Sequence, residues 1–133
     1  MTNISLRTHK RCELIDITGK VQEVVNGCGA QNGAIMVFVP HTTAGITINE
    51  NADPSVVEDL LDSLGRLVPE NGKYRHSEGN SDAHCKASLM GSSVLAPVKN
   101  GELVLGRWQG IYFCEFDGPR SRQFQVVNPA GAQ

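Results

Sequence analysis

An excess of charge of one sign is missing from this 133-residue chain: 12 basic residues stand against 14 acidic ones, for a net charge of −2. That balance gives no footprint for nucleic acid or for an anionic membrane surface. No two of the four cysteines, Cys12, Cys28, Cys85 and Cys114, form a C-x-x-C pair, so neither a zinc ribbon nor a redox dithiol is indicated. Long apolar runs are also absent; none approaches the roughly 18 residues of a membrane-crossing helix. Residues 1–11 carry charge and no apolar signal core, so a cytoplasmic location with four reduced thiols is expected. There is no G-x-S-x-G elbow, Walker loop, dinucleotide fingerprint or H-E-x-x-H. A (β/α)8 barrel, which takes about 250 residues, does not fit this length.

What is present suits one domain spanning residues 1–133, with 40% hydrophobic and 20% charged residues. That composition excludes a disordered tail, a coiled coil and a collagen-like repeat. Val21, Val24, Val25 and Cys28 share one helical face, predicting a helix over 18–29 with Thr18 as cap and Gly27 or Gly29 as stop. The run 34–39 reads as a strand buried on both faces. Residues 45–50 alternate as a half-buried strand, with Ile46 and Ile48 opposite Thr47 and Asn49. Asp53-Pro54 opens the clearest helix, with Val56, Val57, Leu60, Leu61 and Leu64 inward and Gly65 as its stop. Residues 69–80 read as a long loop, followed by a short helix over 82–90 capped by Ser81, with Ala83, Ala87 and Met90 inward. The last third is β: a hairpin around Asn100-Gly101, a strand over 111–116, a turn over 117–120, a strand over 124–127 and a frayed tail from Pro129. The fold class is therefore α+β, with antiparallel sheets, sandwich-like, and about three helices.

Three polar clusters stand out. In the first, strand alternation back from Asn49 places Thr47, Thr43 and His41 on one side if the strand begins that early, and an imidazole, hydroxyls and a carboxamide would then line a site. The second runs from His76 to His84 and holds Asn80 besides Glu78 and Asp82, the two carboxylates being, with the two histidines, donor types that a borderline cation such as zinc accepts. The third holds Glu115, whose parity with Ile111 and Phe113 demands a partner for its carboxylate. Arg120 can pair with Glu115 or Asp117, or bind a phosphate in bidentate fashion. His9 is expected at the surface, Trp108 packed, and Cys114 an inert core thiol.

On PHTTAGITINENADPSV (40–56), HSEGNSDAHCKASLMGSSVLAPV (76–98) and LGRWQGIYFCEFDGPRSR (105–122), the sequence resembles the YjbQ family, also labelled secondary thiamine-phosphate synthase-like. The resemblance implies an α+β fold with antiparallel sheets, a cytoplasmic homotrimer, and a weak transferase activity. That activity joins a hydroxymethylpyrimidine diphosphate to a thiazole phosphate and releases pyrophosphate. Carried over onto this chain, the family's patterns fall on His41, Thr42 and Thr43, on Asn49, Glu50, Asn51 and Asp53, and on His76, His84 and Glu115.

The resulting expectations are specific. His41, Thr43, Asn49 and Glu115 are candidate catalytic residues, and Asn80 and Arg120 candidate substrate-binding residues. His41, His76 and His84 are candidate ligands for a divalent metal, zinc or magnesium, with Glu115 or Asp82 orienting an imidazole. A small phosphorylated molecule is the expected ligand. The competing reading is a non-catalytic module that binds a metal or small anion with the same residues.

Overall fold

Alternation along the strands builds a sandwich. The structure is a computed structural model that describes residues 1–129. In β3 (Gly33–Phe38) Ile35 and Val37 are fully buried, whereas Ala34, Met36 and Phe38 stay half-exposed. The expected two-faced burial is therefore corrected: only one face of β3 meets the core. It lies within a five-stranded sheet of order β1-β8-β3-β5-β6, formed with β1 (Thr2–Arg7), β5 (Ser93–Lys99), β6 (Glu102–Leu103) and β8 (Ser121–Val127). A three-stranded sheet of order β2-β7-β4 combines β2 (Glu13–Asp16), β4 (Ala44–Glu50) and β7 (Gln109–Glu115). Every pairing is antiparallel, so the α+β sandwich expected from sequence is the fold.

Between the sheets, Ile35, Val37, Phe124 and Val126 meet Ile46, Ile111 and Phe113, and helix α1 (Thr18–Cys28) adds Val21 and Val25. The other face of the small sheet is covered too. There Tyr112, Cys114 and Phe116 pack with Leu64 of α2 (Pro54–Leu67) and with Ala83 and Ala87 of α3 (Ser81–Met90). Each fully buried Phe contributes roughly 1.5–3 kcal/mol by leaving water. Burial pushes the Cys114 thiol up to about 12, the inert core thiol that was expected.

Local signals held where they were chemical. Asp53 accepts the Ser55 N–H at 3.0 Å, with Pro54 opening α2, and Asn100 (φ 52°) and Gly101 (φ 78°) make the hairpin turn. Elsewhere the bounds moved. Helix α2 runs through Gly65 to Leu67 and closes with the Val68 N–H on the Leu64 carbonyl, because one interior glycine costs only about 1 kcal/mol. Thr18 and Ser81 are first helical residues rather than caps; the Thr18 hydroxyl instead accepts the Ile111 N–H and bonds Asp16. Strands β1 and β2 were not anticipated. Of the expected tail, only Pro129 falls within the described residues. Among the described residues no helix is long and apolar enough to cross a membrane.

Candidate functional site

Pro40 has no N–H to continue the β3 ladder, and the chain turns away there. The next residue replaces the missing partner: His41 Nε2 lies 3.0 Å from the Gln123 nitrogen and 3.1 Å from its carbonyl oxygen on β8. One ring nitrogen serves one of these groups at a time. With Nε2–H donated to the carbonyl, Nδ1 presents its lone pair; with Nε2 accepting, Nδ1 carries the proton. The ring also stands edge-on to Phe113, 6.4 Å between centroids.

Opposite His41 lies α3. Its C-terminal end packs on β4, with the Ile46 N–H on the Gly91 carbonyl at 3.0 Å, while the Val39 N–H on the Ser92 carbonyl at 2.8 Å continues the β3–β5 ladder. Gly45 makes this approach possible, since a Cβ there would sit 2.7 Å from the Gly91 oxygen. The packing encloses a depression of about 490 Å³ walled by His41, Thr42, Ala44, His84, Ser88 and Ser92. Two imidazoles and three hydroxyls therefore face one space. His76 stacks edge-on against His84 from the other side, at 5.5 Å.

Burial first, then the Arg122 guanidinium, holds the His41 imidazole below its ordinary value of 6.5, against the opposing effect of the Gln123 hydrogen bond. His41 is thus neutral at pH 7. We expect its Cε1 proton, followed by NMR, to titrate below 6.5, the ordinary imidazole value. Because the unfolded chain binds the proton more readily, the stability contributed by neutral His41 is present above about 6.5 and is lost as pH falls through the folded value. Titration of His41 at or above 6.5 would contradict this.

Thr43 and Glu115 lie behind His41, in the protein interior. Glu115 is completely buried and pairs with Arg122, which also donates to the Thr43 hydroxyl at 2.8 Å. Thr8 Oγ1 donates to the same carboxylate at 2.8 Å, and the Phe116 and Asp117 N–H groups add two further bonds. Burial alone would raise the Glu115 pKa; the bonds from Arg122, Thr8 and Asp117 outweigh it and leave the group below its ordinary value. Glu115 therefore braces the turn that carries His41 and orients no imidazole. Asn49 is at the other end of β4, opposite Gly110, about 17 Å along the strand from Ala44. Within one chain the structure does not bring it to His41.

The profile of the family described as UPF0047 protein YjbQ-like matches residues 2–129. The chain belongs to this family. It is 52% identical over 121 residues to a UPF0047 protein of Methanocaldococcus jannaschii, covering 91% of this chain and 88% of that one. To the UPF0047 protein YugU of Bacillus subtilis it is 51% identical, covering 92% and 93%. A crystal structure of a YjbQ/UPF0047 protein from Clostridium acetobutylicum superposes with a TM-score of 0.94 at 54% identity, over 96% of this chain and 98% of that one.

In this YjbQ-family chain the remaining candidates meet away from the imidazoles. Asn80 Nδ2 donates to Asp117 at 2.9 Å, and Arg120 spends its Nε and Nη2 on Asp117; of the alternatives open to Arg120, Asp117 is the partner. Asp82 is likewise committed, bonding Arg11 and Lys86 at 3.0 Å each. Both Asp82 and Lys86 are buried, an ion pair that sequence reading missed although its i,i+4 spacing is visible. Trp108 does not pack as expected: it is 53% exposed, with the Arg107 guanidinium 4.8 Å over its ring. As for metal, among the described residues no three His, Cys, Asp or Glu side chains stand close enough to hold an ion. His76 and His84 come together, whereas His41 Nε2 is engaged by Gln123.

Proposed function

We propose that the depression between His41 and His84 binds a small phosphorylated molecule and carries the transfer implied by the YjbQ resemblance. That transfer joins hydroxymethylpyrimidine diphosphate to a thiazole phosphate. The supporting observation is the pair of imidazoles facing each other across a hydroxyl-lined space of about 490 Å³. In the displacement the thiazole nitrogen attacks the pyrimidine methylene carbon while that carbon's bond to the diphosphate oxygen breaks. No proton has to leave either reactant. Negative charge gathers on the departing pyrophosphate, so the site must supply fixed hydrogen-bond donors. Imidazole N–H groups and the hydroxyls of Thr42 and Ser92 are of that kind, whereas the Ser88 hydroxyl donates to the His84 carbonyl at 3.0 Å. The test is continuous measurement of pyrophosphate release by the purified chain with both substrates. Release that requires both supports the transfer; ligand binding without release leaves the non-catalytic binding module.

The edge-on His76–His84 contact favours a second reading, in which a divalent ion, zinc or magnesium, binds there. One chain supplies only two close imidazoles, so the further donor would come from another copy. Zinc calorimetry on the native protein, with His76→Ala and His84→Ala, separates the two readings.

Assembly as a homotrimer belongs to the same proposal. It is supported by the outer face of the five-stranded sheet, where Met36 lies opposite Leu95, which is 63% exposed, beside half-exposed Phe38 and Val127. Such an apolar strip suits burial by another copy. Light scattering is expected to give three times the 14.4 kDa of one chain; a monomer mass at micromolar concentration would exclude the trimer. The cytoplasm is the proposed location, in keeping with four free cysteines.

A further inference from the structure

We infer that the phosphate of the ligand is held by Lys73 and Arg75, in a second cavity on the far side of His84, and not by Arg120. The inference rests on the proposed histidine site and supplies its missing anion anchor. The cavity, about 570 Å³, is lined by Lys73, Tyr74, Arg75, His76 and His84, among others. His84 also walls the depression that contains His41, so one molecule of modest size can lie against both.

The charge arrangement selects these two cations. Arg120 is committed to Asp117, Arg11 to Glu70 and Asp82, Lys86 to Asp82, and Arg122 to Glu115. Lys73 and Arg75 have no ion-pair or hydrogen-bond partner among the described residues. No carboxylate lines this cavity; the acidic group beside its His76 is Glu78, at 3.8 Å and largely exposed. Two unspent cations beside two imidazoles, against one solvated carboxylate, suit a phosphate ester or diphosphate. The rings of Tyr74, His76 and His84 give the walls a planar, apolar character that fits a small aromatic body. The expected ligand class is thus a phosphorylated aromatic heterocycle, its phosphate toward the 73–75 segment and its ring toward His84.

Backbone NMR of the native chain in EDTA, titrated with phenyl phosphate and, as an uncharged control, benzyl alcohol, tests this. Phenyl phosphate is expected to shift the amides of residues 73–76 and 84, and benzyl alcohol to bind at least tenfold more weakly. The double variant Lys73→Gln/Arg75→Gln is expected to weaken phenyl phosphate by about tenfold or more, the size of one lost charge-assisted bond. Arg120→Gln should change it less than twofold. The opposite ranking, or no shift at residues 73–76 at millimolar ligand, overturns the inference. Failure here with pyrophosphate release still dependent on His41 and His84 leaves the histidine site standing. Binding at Lys73 and Arg75 without any histidine-dependent release removes the transfer and keeps the anion anchor.

Discussion

Replacing Arg122 by methionine is expected to lower folding stability by about 3–5 kcal/mol, the usual cost of stranding one partner of a buried ion pair. Glu115 is completely buried, and its position between the sheets gives the carboxylate no route to water. Thr8 and the Phe116 and Asp117 N–H groups remain as donors, but none carries the positive charge that offsets desolvation. Thr43 loses its partner in the same step, so the turn bearing His41 loosens as well. Urea unfolding measures the loss directly. The double variant Arg122→Met/Glu115→Leu is expected to recover part of it, because the apolar pair needs no solvation while the Thr8 hydroxyl and the Phe116 and Asp117 N–H groups lose their shared acceptor. The pH dependence provides a second check. In the native protein the Glu115 pKa is depressed, so its contribution is present above about 4.5, the ordinary carboxylate value, and is lost as pH falls through the folded value. In Arg122→Met burial is opposed only by the Thr8 and backbone hydrogen bonds, so that pKa rises, and the variant should regain part of its stability on mild acidification. A loss under 1 kcal/mol would show that the pair contributes little.

His41→Ala and His84→Ala are each expected to reduce pyrophosphate release by about a hundredfold or more, the lower end of what losing one preorganised hydrogen-bond donor costs. His84 stands between the two cavities, so its loss removes a donor to the leaving group and opens the partition between them. His41 has a structural duty too, because removing it orphans the Gln123 N–H or carbonyl, at about 1 kcal/mol. Comparing kcat with the urea midpoint separates these roles: a stability loss of that size cannot account for a hundredfold fall at a temperature where the variant is folded. His76→Ala should have a smaller effect, since His76 touches the depression only through His84. Full turnover in both His41→Ala and His84→Ala would place the chemistry elsewhere.

Much of this was legible along the chain, because the signals were local. The 3.6-residue spacing of Val21 and Val25, the Asp53 cap and the Asn100-Gly101 turn each specify their own geometry without help from distant residues. Strands β1 and β2 were not legible: they are short, they mix polar and apolar residues, and β1 forms a sheet edge. The partner of Glu115 was a nearer miss. The last strand begins at Ser121 rather than Phe124, and extending the alternation of Phe124 and Val126 back by two residues puts Arg122 on the buried face. Joining His41 to His84 requires the packing of α3 on β4 through Gly45, a long-range contact that no spacing encodes. The same dependence misled the reading of Asn49: strand parity was carried back to His41, but β4 begins only at Ala44, and its length separates the two.

The measurement that bears most directly on the histidine site is long-range ¹H–¹⁵N NMR of the imidazole rings while hydroxymethylpyrimidine diphosphate is added. The expected result is that the ring nitrogens of His41 and His84 shift along one saturation curve while those of His9 stay in place. Saturable binding that leaves both His41 and His84 unmoved would contradict a site between them.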